Sequence, residues 1–157
     1  MKVETNLDVL VSGKHNNSVF NNTGPIPVKI GEETTFTVKV ELKNSFNKIN
    51  NPKITIKLPS GINWKNSYQR SSGEISFNER TNELFWELDE VEDFVGYSEP
   101  LEELVFQLGV VPQNDVSSNS IFLVKDVVFV GSDDFTGSTI SKKVEDLTLR
   151  KVEDYEF

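Results

Sequence analysis

From Ile30 to Trp64 the chain reads IGEETTFTVKVELKNSFNKINNPKITIKLPSGINW, and two runs in it alternate cleanly between apolar and polar residues. In the first, Phe36, Val38, Val40 and Leu42 share one face, while Thr37, Lys39, Glu41 and Lys43 share the other. In the second, Ile54, Ile56 and Leu58 alternate with Lys53, Thr55 and Lys57. Successive side chains of a strand point to opposite faces, so a period of two over this length predicts half-buried β-strands. One face is apolar and the other charged, which places each strand between a core and water. The Asn-rich NSFNKINN between the runs suits a turn, and Pro59-Ser60-Gly61 ends the second strand.

The same reading extends along the chain. Val3–Val11 is expected as a strand with Leu7, Val9 and Val11 in phase, and 12–23 as a polar loop with a short strand at Val19-Phe20 as an option. Gly24-Pro25-Ile26-Pro27 reads as extended, because prolines bar a helix and a central strand. Gly61–Tyr68 reads as an edge strand and Ser71-Ser72-Gly73 as a turn. Glu74–Phe77 and Glu83–Leu88 form a hairpin about 78–82, with Trp86 a central core residue. An acidic loop follows over 89–96, then a long strand over Leu101–Val111 and a polar connection over 112–119. In Ile121–Val130 the pair Lys125-Asp126 breaks the alternation, as a bulge or a strand crossing between sheets would. Residues 131–137 read as a turn, Ser138–Leu149 as one or two strands, and Lys151–Phe157 as a frayed tail. Short strands separated by frequent turns, with no amphipathic helix, predict an all-β fold. The expected architecture is a β-sandwich of about 7–9 mostly antiparallel strands over residues 1–150 as a single domain, with a closed barrel as the alternative. Its core is expected from Phe36, Val38, Val40, Ile54, Ile56, Trp86, Phe106 and Leu108.

Composition narrows the function classes. The chain has 157 residues, enough for one domain with a proper core. Its net charge of −9 argues against nucleic acid, whose phosphates demand a basic surface. It has no cysteine, so disulfides, thiol catalysis and cysteine-based zinc sites are excluded. No apolar run is long enough to span a membrane as a helix. The start, MKVETNLDVL, has no apolar stretch of the signal-peptide kind. The chain is therefore expected to be cytosolic or a domain cut from a longer secreted protein.

Several segments together resemble a known module. VKIGEETTFTVKVELKNSFNKINNPKITIKLPSGINW is similar to the DUF11-like conserved repeat domains of bacterial and archaeal surface proteins. The matching features are the Gly31-Glu32 turn, the Thr35–Val40 strand, Asn44, the Ile54–Leu58 strand, Leu58-Pro59-Ser60-Gly61 and Trp64. The later SSGEISFNERTNELFWELDEVEDF resembles their hairpin, ending here in Trp86-Glu87-Leu88-Asp89-Glu90-Val91, and GSDDFTGSTIS resembles the D-x-F-T-G turn before their last strand. The resemblance covers roughly residues 26–149. Two departures are Lys57, where many members carry Asp, and a longer, more acidic loop over 89–99. The resemblance implies an immunoglobulin-like sandwich, an extracellular setting, tandem neighbours and a stalk or adhesion role. It implies no catalytic residues, and fold kinship does not identify a ligand.

Candidate chemistry is sparse. His15 is the only histidine and sits in a polar loop without a G-x-S-x-G motif, so a solvated loop residue is favoured over a catalytic triad. Asp133 and Asp134, in a Gly-flanked turn, are candidate calcium ligands, since calcium gathers carboxylate and carbonyl oxygens. Ordinary turn chemistry competes with that reading. The acidic loop of Asp89, Glu90, Glu92 and Asp93 is a weaker calcium candidate and reads better as solvated charge. No positioned acid–base pair or aromatic-lined cleft points to a glycosidase. Trp64, Tyr68, Phe85 and Tyr97 fall in turns or off the inward phase, so Trp64 and Tyr68 are candidate ligand contacts, against a simpler role for Trp64 as a cap on the core. Lys39, Lys43, Lys53 and Lys57 lie on outward phases, which disfavours intramolecular isopeptide bonds.

The sequence thus points to a non-enzymatic extracellular structural or adhesion module of a cell-surface protein, without cofactor unless calcium binds, and lacking its signal peptide as an excised domain. Its expected partners are neighbouring surface domains and, through its loops, a cell-surface glycan or protein. The alternative is a carbohydrate- or protein-binding β-sandwich.

Overall fold

The computed structural model describes residues 3–16, 19–114, 116–117 and 120–155; the remaining positions, including parts of the expected 112–119 connection and the last two residues, lie outside the described residues. Alternation sets the strands: β1 (Leu7–Lys14), β2 (Thr34–Asn44), β3 (Ile49–Lys57), β4 (Ile62–Arg70), β5 (Glu74–Asn78) and β6 (Glu83–Glu87). After them come β7 (Glu90–Val91), β8 (Glu102–Val110), β9 (Phe122–Asp133), β10 (Thr139–Val144) and β11 (Leu147–Thr148), then a turn of 3-10 helix over Leu149–Lys151.

The strands form two antiparallel sheets. One has the order β1-β2-β8-β4 and the other β10-β9-β3-β6-β5, with β7 added to β3 and β11 to β9. The chain changes sheet at β2–β3, β3–β4, β4–β5, β7–β8 and β8–β9. Both sheets have open edges, so the expected sandwich holds and the barrel alternative does not. All eight expected core residues are at most 1 % exposed. Trp86 meets the polar requirement of its indole by donating Nε1–H to the Ser72 carbonyl at 2.9 Å. Gly73, at φ +88°, makes room for this: a Cβ there would lie 2.5 Å from the Glu87 carbonyl oxygen.

Several boundaries differ from expectation. β1 begins at Leu7 rather than Val3 and continues through polar Ser12 to Lys14, because β2 offers pairing as far as Thr37. Val19 and Phe20 lie outside any strand. The Asn-rich turn shrinks, since β3 already begins at Ile49; Asn51 takes φ 51°, which Asn tolerates. The interruption at Lys125-Asp126 is a bulge, with Asp126 at φ 50° and a register shift against β3. β9 then runs to Asp133, so only the last part of 131–137 turns.

The tail expected to fray is instead docked. Val152 and Tyr155 are 4 % and 8 % exposed, and the Tyr155 hydroxyl accepts the Val28 N–H at 3.0 Å. The Asp154 carboxylate accepts the N–H groups of His15 (2.8 Å) and Asn16 (2.7 Å). Two apolar side chains among charged ones suffice to cover this end of the core. The sandwich therefore has two poles. The upper pole holds the Asn44 end of β2 and the Asp133 end of β9; the lower pole holds the Lys14 end of β1 and the docked tail.

Candidate functional site

Two regions contain the residues singled out from sequence. The first is the seam between the edge strands β4 and β5. Trp64 pairs opposite Leu108 and Tyr68 opposite Phe106, so β4 carries two more residues than β8 across this interval. The excess forms a bulge in which Asn66 takes φ 57° and Lys65 turns out to meet Glu33 at 2.7 Å. The Lys65 hydrogen bond holds the Glu33 carboxyl below the usual range, against the opposing effect of burial. Within the sandwich seam, Trp64 stacks on Tyr68 (5.9 Å between centroids, 24°) and on Phe77 of β5 (5.5 Å, 20°). It also tilts against the buried Phe106 at 5.6 Å.

The expectation that Trp64 and Tyr68 lie off the inward phase is thus corrected. Both are half-buried and face the seam, in the same phase as the buried Ile62 of β4. They line a shallow hollow of about 370 Å³ with Ile75 and Phe77, beside the polar Asn66, Ser76 and Glu79. Phe85 and Tyr97 do not join them. Phe85 lies under Lys53 Nζ at 4.7 Å, and Tyr97 is 57 % exposed at the upper pole, beneath Lys43 Nζ at 4.9 Å.

The second region surrounds Asp133, which is fully buried at the upper pole. Its Oδ2 accepts the Thr5 N–H at 2.8 Å and the Asn47 Nδ2–H at 3.1 Å. Its Oδ1 accepts the N–H groups of Phe135 (2.9 Å) and Thr136 (3.0 Å), an Asx turn within D-x-F-T-G. Burial pushes the carboxyl pKa up, but these donors outweigh it and hold it below the usual range. Asp134 is committed differently, its Oδ1 accepting Asn50 Nδ2–H at 2.6 Å. Both Asp133 oxygens accept N–H donors, which a calcium ion at the expected site would have to displace. Among the described residues no group of three or more His, Asp or Glu side chains is arranged to hold a metal. Sequence reasoning found Asp133 but missed Thr5 and Asn47, whose distance along the chain left no local signal. Thr5 extends the network, its hydroxyl donating to Asn44 Oδ1 at 2.7 Å.

His15 is an anchor rather than a solvated residue. Its Nδ1 lies 2.9 Å from the Thr35 carbonyl, and its ring meets the edge of Phe36 at 5.6 Å. Glu90 and Glu92, on the upper pole, share a hydrogen bond. This raises the Glu92 carboxyl pKa, while that of Glu90 is lowered by the same bond and by Lys48. They are in direct contact at an open surface, unlike an acid and base separated across a cleft. None of the lysines considered for isopeptide bonds is buried; Lys53, for example, pairs with Glu87 at 3.5 Å.

No protein-family model matches the chain, and no curated protein matches it. Its architecture matches solved bacterial pilins. The major pilin subunit BcpA of Bacillus cereus aligns over 90 % of this chain at TM-score 0.51 and 10 % identity. The major pilin SpaD of Corynebacterium diphtheriae aligns over 90 % at TM-score 0.51 and 12 % identity. The chain spans about 40 % and 35 % of the length of these two pilins. At such identities the likeness concerns the fold, and the class it defines is a pilin-like, all-β sandwich.

Proposed function

We propose that this chain is a non-catalytic structural module of a cell-surface protein, of the DUF11-like kind, acting outside the cell as a spacer between neighbouring domains. One observation carries the reading: the segments leading out of the sandwich are pinned at opposite poles. Thr5 is fixed at the upper pole by Asp133 and Asn44, and Tyr155 at the lower pole by Val28. Tension applied through these segments runs along the strands. β1 meets β2 over eight register pairs, Leu7↔Asn44 to Lys14↔Thr37, and a pull on Thr5 strains that ladder in shear, all pairs together. A pull across the strands would instead open one pair at a time.

Single-molecule pulling tests this. Handles placed beyond Thr5 and Tyr155 should give a clearly higher unfolding force than handles at Thr5 and Ser45, which sit side by side at one end of the β1–β2 ladder. Equal or lower force in the first geometry would refute the spacer reading. A second reading, as a carbohydrate- or protein-binding module, is supported by the Trp64–Tyr68–Phe77 stack and the polar groups beside it. It predicts saturable binding on a glycan array or to target cells, lost in Trp64→Ala and Tyr68→Ala.

A further inference from the structure

The net charge of −9 is concentrated rather than spread: residues 89–103 carry seven carboxylates and no Lys or Arg. This stretch borders a hollow of about 580 Å³ lined by apolar Phe94, Pro100 and Leu101 and by the carboxylates of Glu92, Asp93 and Glu99. Among the described residues, the ion pair made by residues 89–99 is that of Glu90 with Lys48, at 3.3 Å. The Glu92 carboxyl pKa is raised, first by its hydrogen bond with Glu90 and further by the charge of Glu90 and Asp93.

Phe94 adds a different kind of observation. It is 45 % exposed, yet its backbone sits at φ 61°, a region that bulky residues rarely occupy. The loop enforces this geometry: Phe94 N–H donates to the Ser45 carbonyl at 2.7 Å, and the Phe94 carbonyl accepts from Tyr97 and Glu99, each at 3.0 Å. A strained backbone that holds an aromatic ring out of the core points to function at that position. The loop is also closed on itself, so little ordering would be needed on binding.

We propose that this hollow docks an extended basic segment of a partner protein, with an apolar side chain seated against Phe94 and Leu101 and a Lys or Arg on either side reaching the carboxylates. The apolar contact supplies the anchor, and the surrounding charge selects the partner and speeds encounter. This docking does not depend on the spacer reading, since it uses neither the β1–β2 ladder nor the tail.

The test is fluorescence anisotropy at physiological salt, with the whole chain and three labelled peptides of Gly-Ser flanks around Arg-Leu-Arg, Arg-Ser-Arg or Glu-Leu-Glu. The first should bind saturably, the second about tenfold more weakly, as loss of a buried anchor implies, and the third not at all. Phe94→Asn removes the ring with a residue that accepts the backbone conformation, and should weaken Arg-Leu-Arg binding about tenfold. Glu92→Gln with Glu99→Gln should weaken it and flatten its salt dependence. Ile30→Ser, at the lower pole, should leave it unchanged, and circular dichroism confirms that each variant is folded. Equal binding of Arg-Leu-Arg and Arg-Ser-Arg would overturn the proposal in favour of diffuse electrostatic attraction. It would equally be overturned by undiminished binding to Phe94→Asn, or by no saturable binding to the wild-type chain.

Discussion

Replacing Asp133 by Asn tests the buried carboxylate at nearly constant shape. The amide keeps one acceptor oxygen and sets an NH₂ group against a pair of N–H donors, either Thr5 with Asn47 or Phe135 with Thr136. Two donors lose their acceptor; a buried one such as the Thr5 N–H costs about 1–3 kcal/mol and a half-buried one less, so the expected loss is about 1–4 kcal/mol. For a chain of this size, each kcal/mol moves the melting midpoint by about 2–4 °C, so the midpoint should fall by at least about 2 °C. The pH dependence gives a second reading. The Asp133 carboxyl is held below its ordinary range in the folded chain. Its contribution is therefore present above the unfolded value, about 3.9, and is lost as pH falls through the lower folded value. Wild type should lose stability on that acid limb, and Asp133→Asn should lose less of it. Urea melts across pH 2–7 would show both effects, and the same melts in millimolar calcium and in chelator should coincide. A loss under about 0.5 kcal/mol, within the range of an ordinary surface substitution, would refute the argument. So would an unchanged acid limb, or a calcium-dependent rise in stability that Asp133→Asn abolishes.

Two further substitutions probe the core and the lower pole. Trp86→Ala should cost about 3–5 kcal/mol in urea melts, and a loss under about 1 kcal/mol would contradict the fully buried position of the indole. Tyr155→Phe removes the acceptor of the buried Val28 N–H and should cost about 1–2 kcal/mol; an unchanged midpoint would return the tail to the frayed state expected from sequence.

What was legible in the sequence was local. Phe36 to Leu42 and Leu84 to Leu88 alternate without interruption, so their phase, and Trp86 within it, could be read directly. Lys125-Asp126 announced its bulge because charge fell where an apolar residue was due. Elsewhere distant partners decide. Thr5 lies 128 positions from Asp133, and nothing around either residue signals the other. The docking of Val152 and Tyr155 depends on an open core end assembled from strands far away, so composition alone suggested fraying. Trp64 as a cap on the core was legible, whereas the bulge between Trp64 and Tyr68, fixed only when β8 pairs with β4, was not.

That bulge also bears on how copies behave when crowded together. An edge strand with an unbroken row of free N–H and C=O groups invites another chain to add a strand. In β4 the row is broken between Trp64 and Tyr68, and exposed Lys65 and Asn66 project at the break. The opposite edge of the other sheet, β10, carries exposed Lys142 and Lys143. Two copies brought together through β4 or β10 would meet a kink or a pair of charges, which opposes their fusing into a continuous sheet along those two edges.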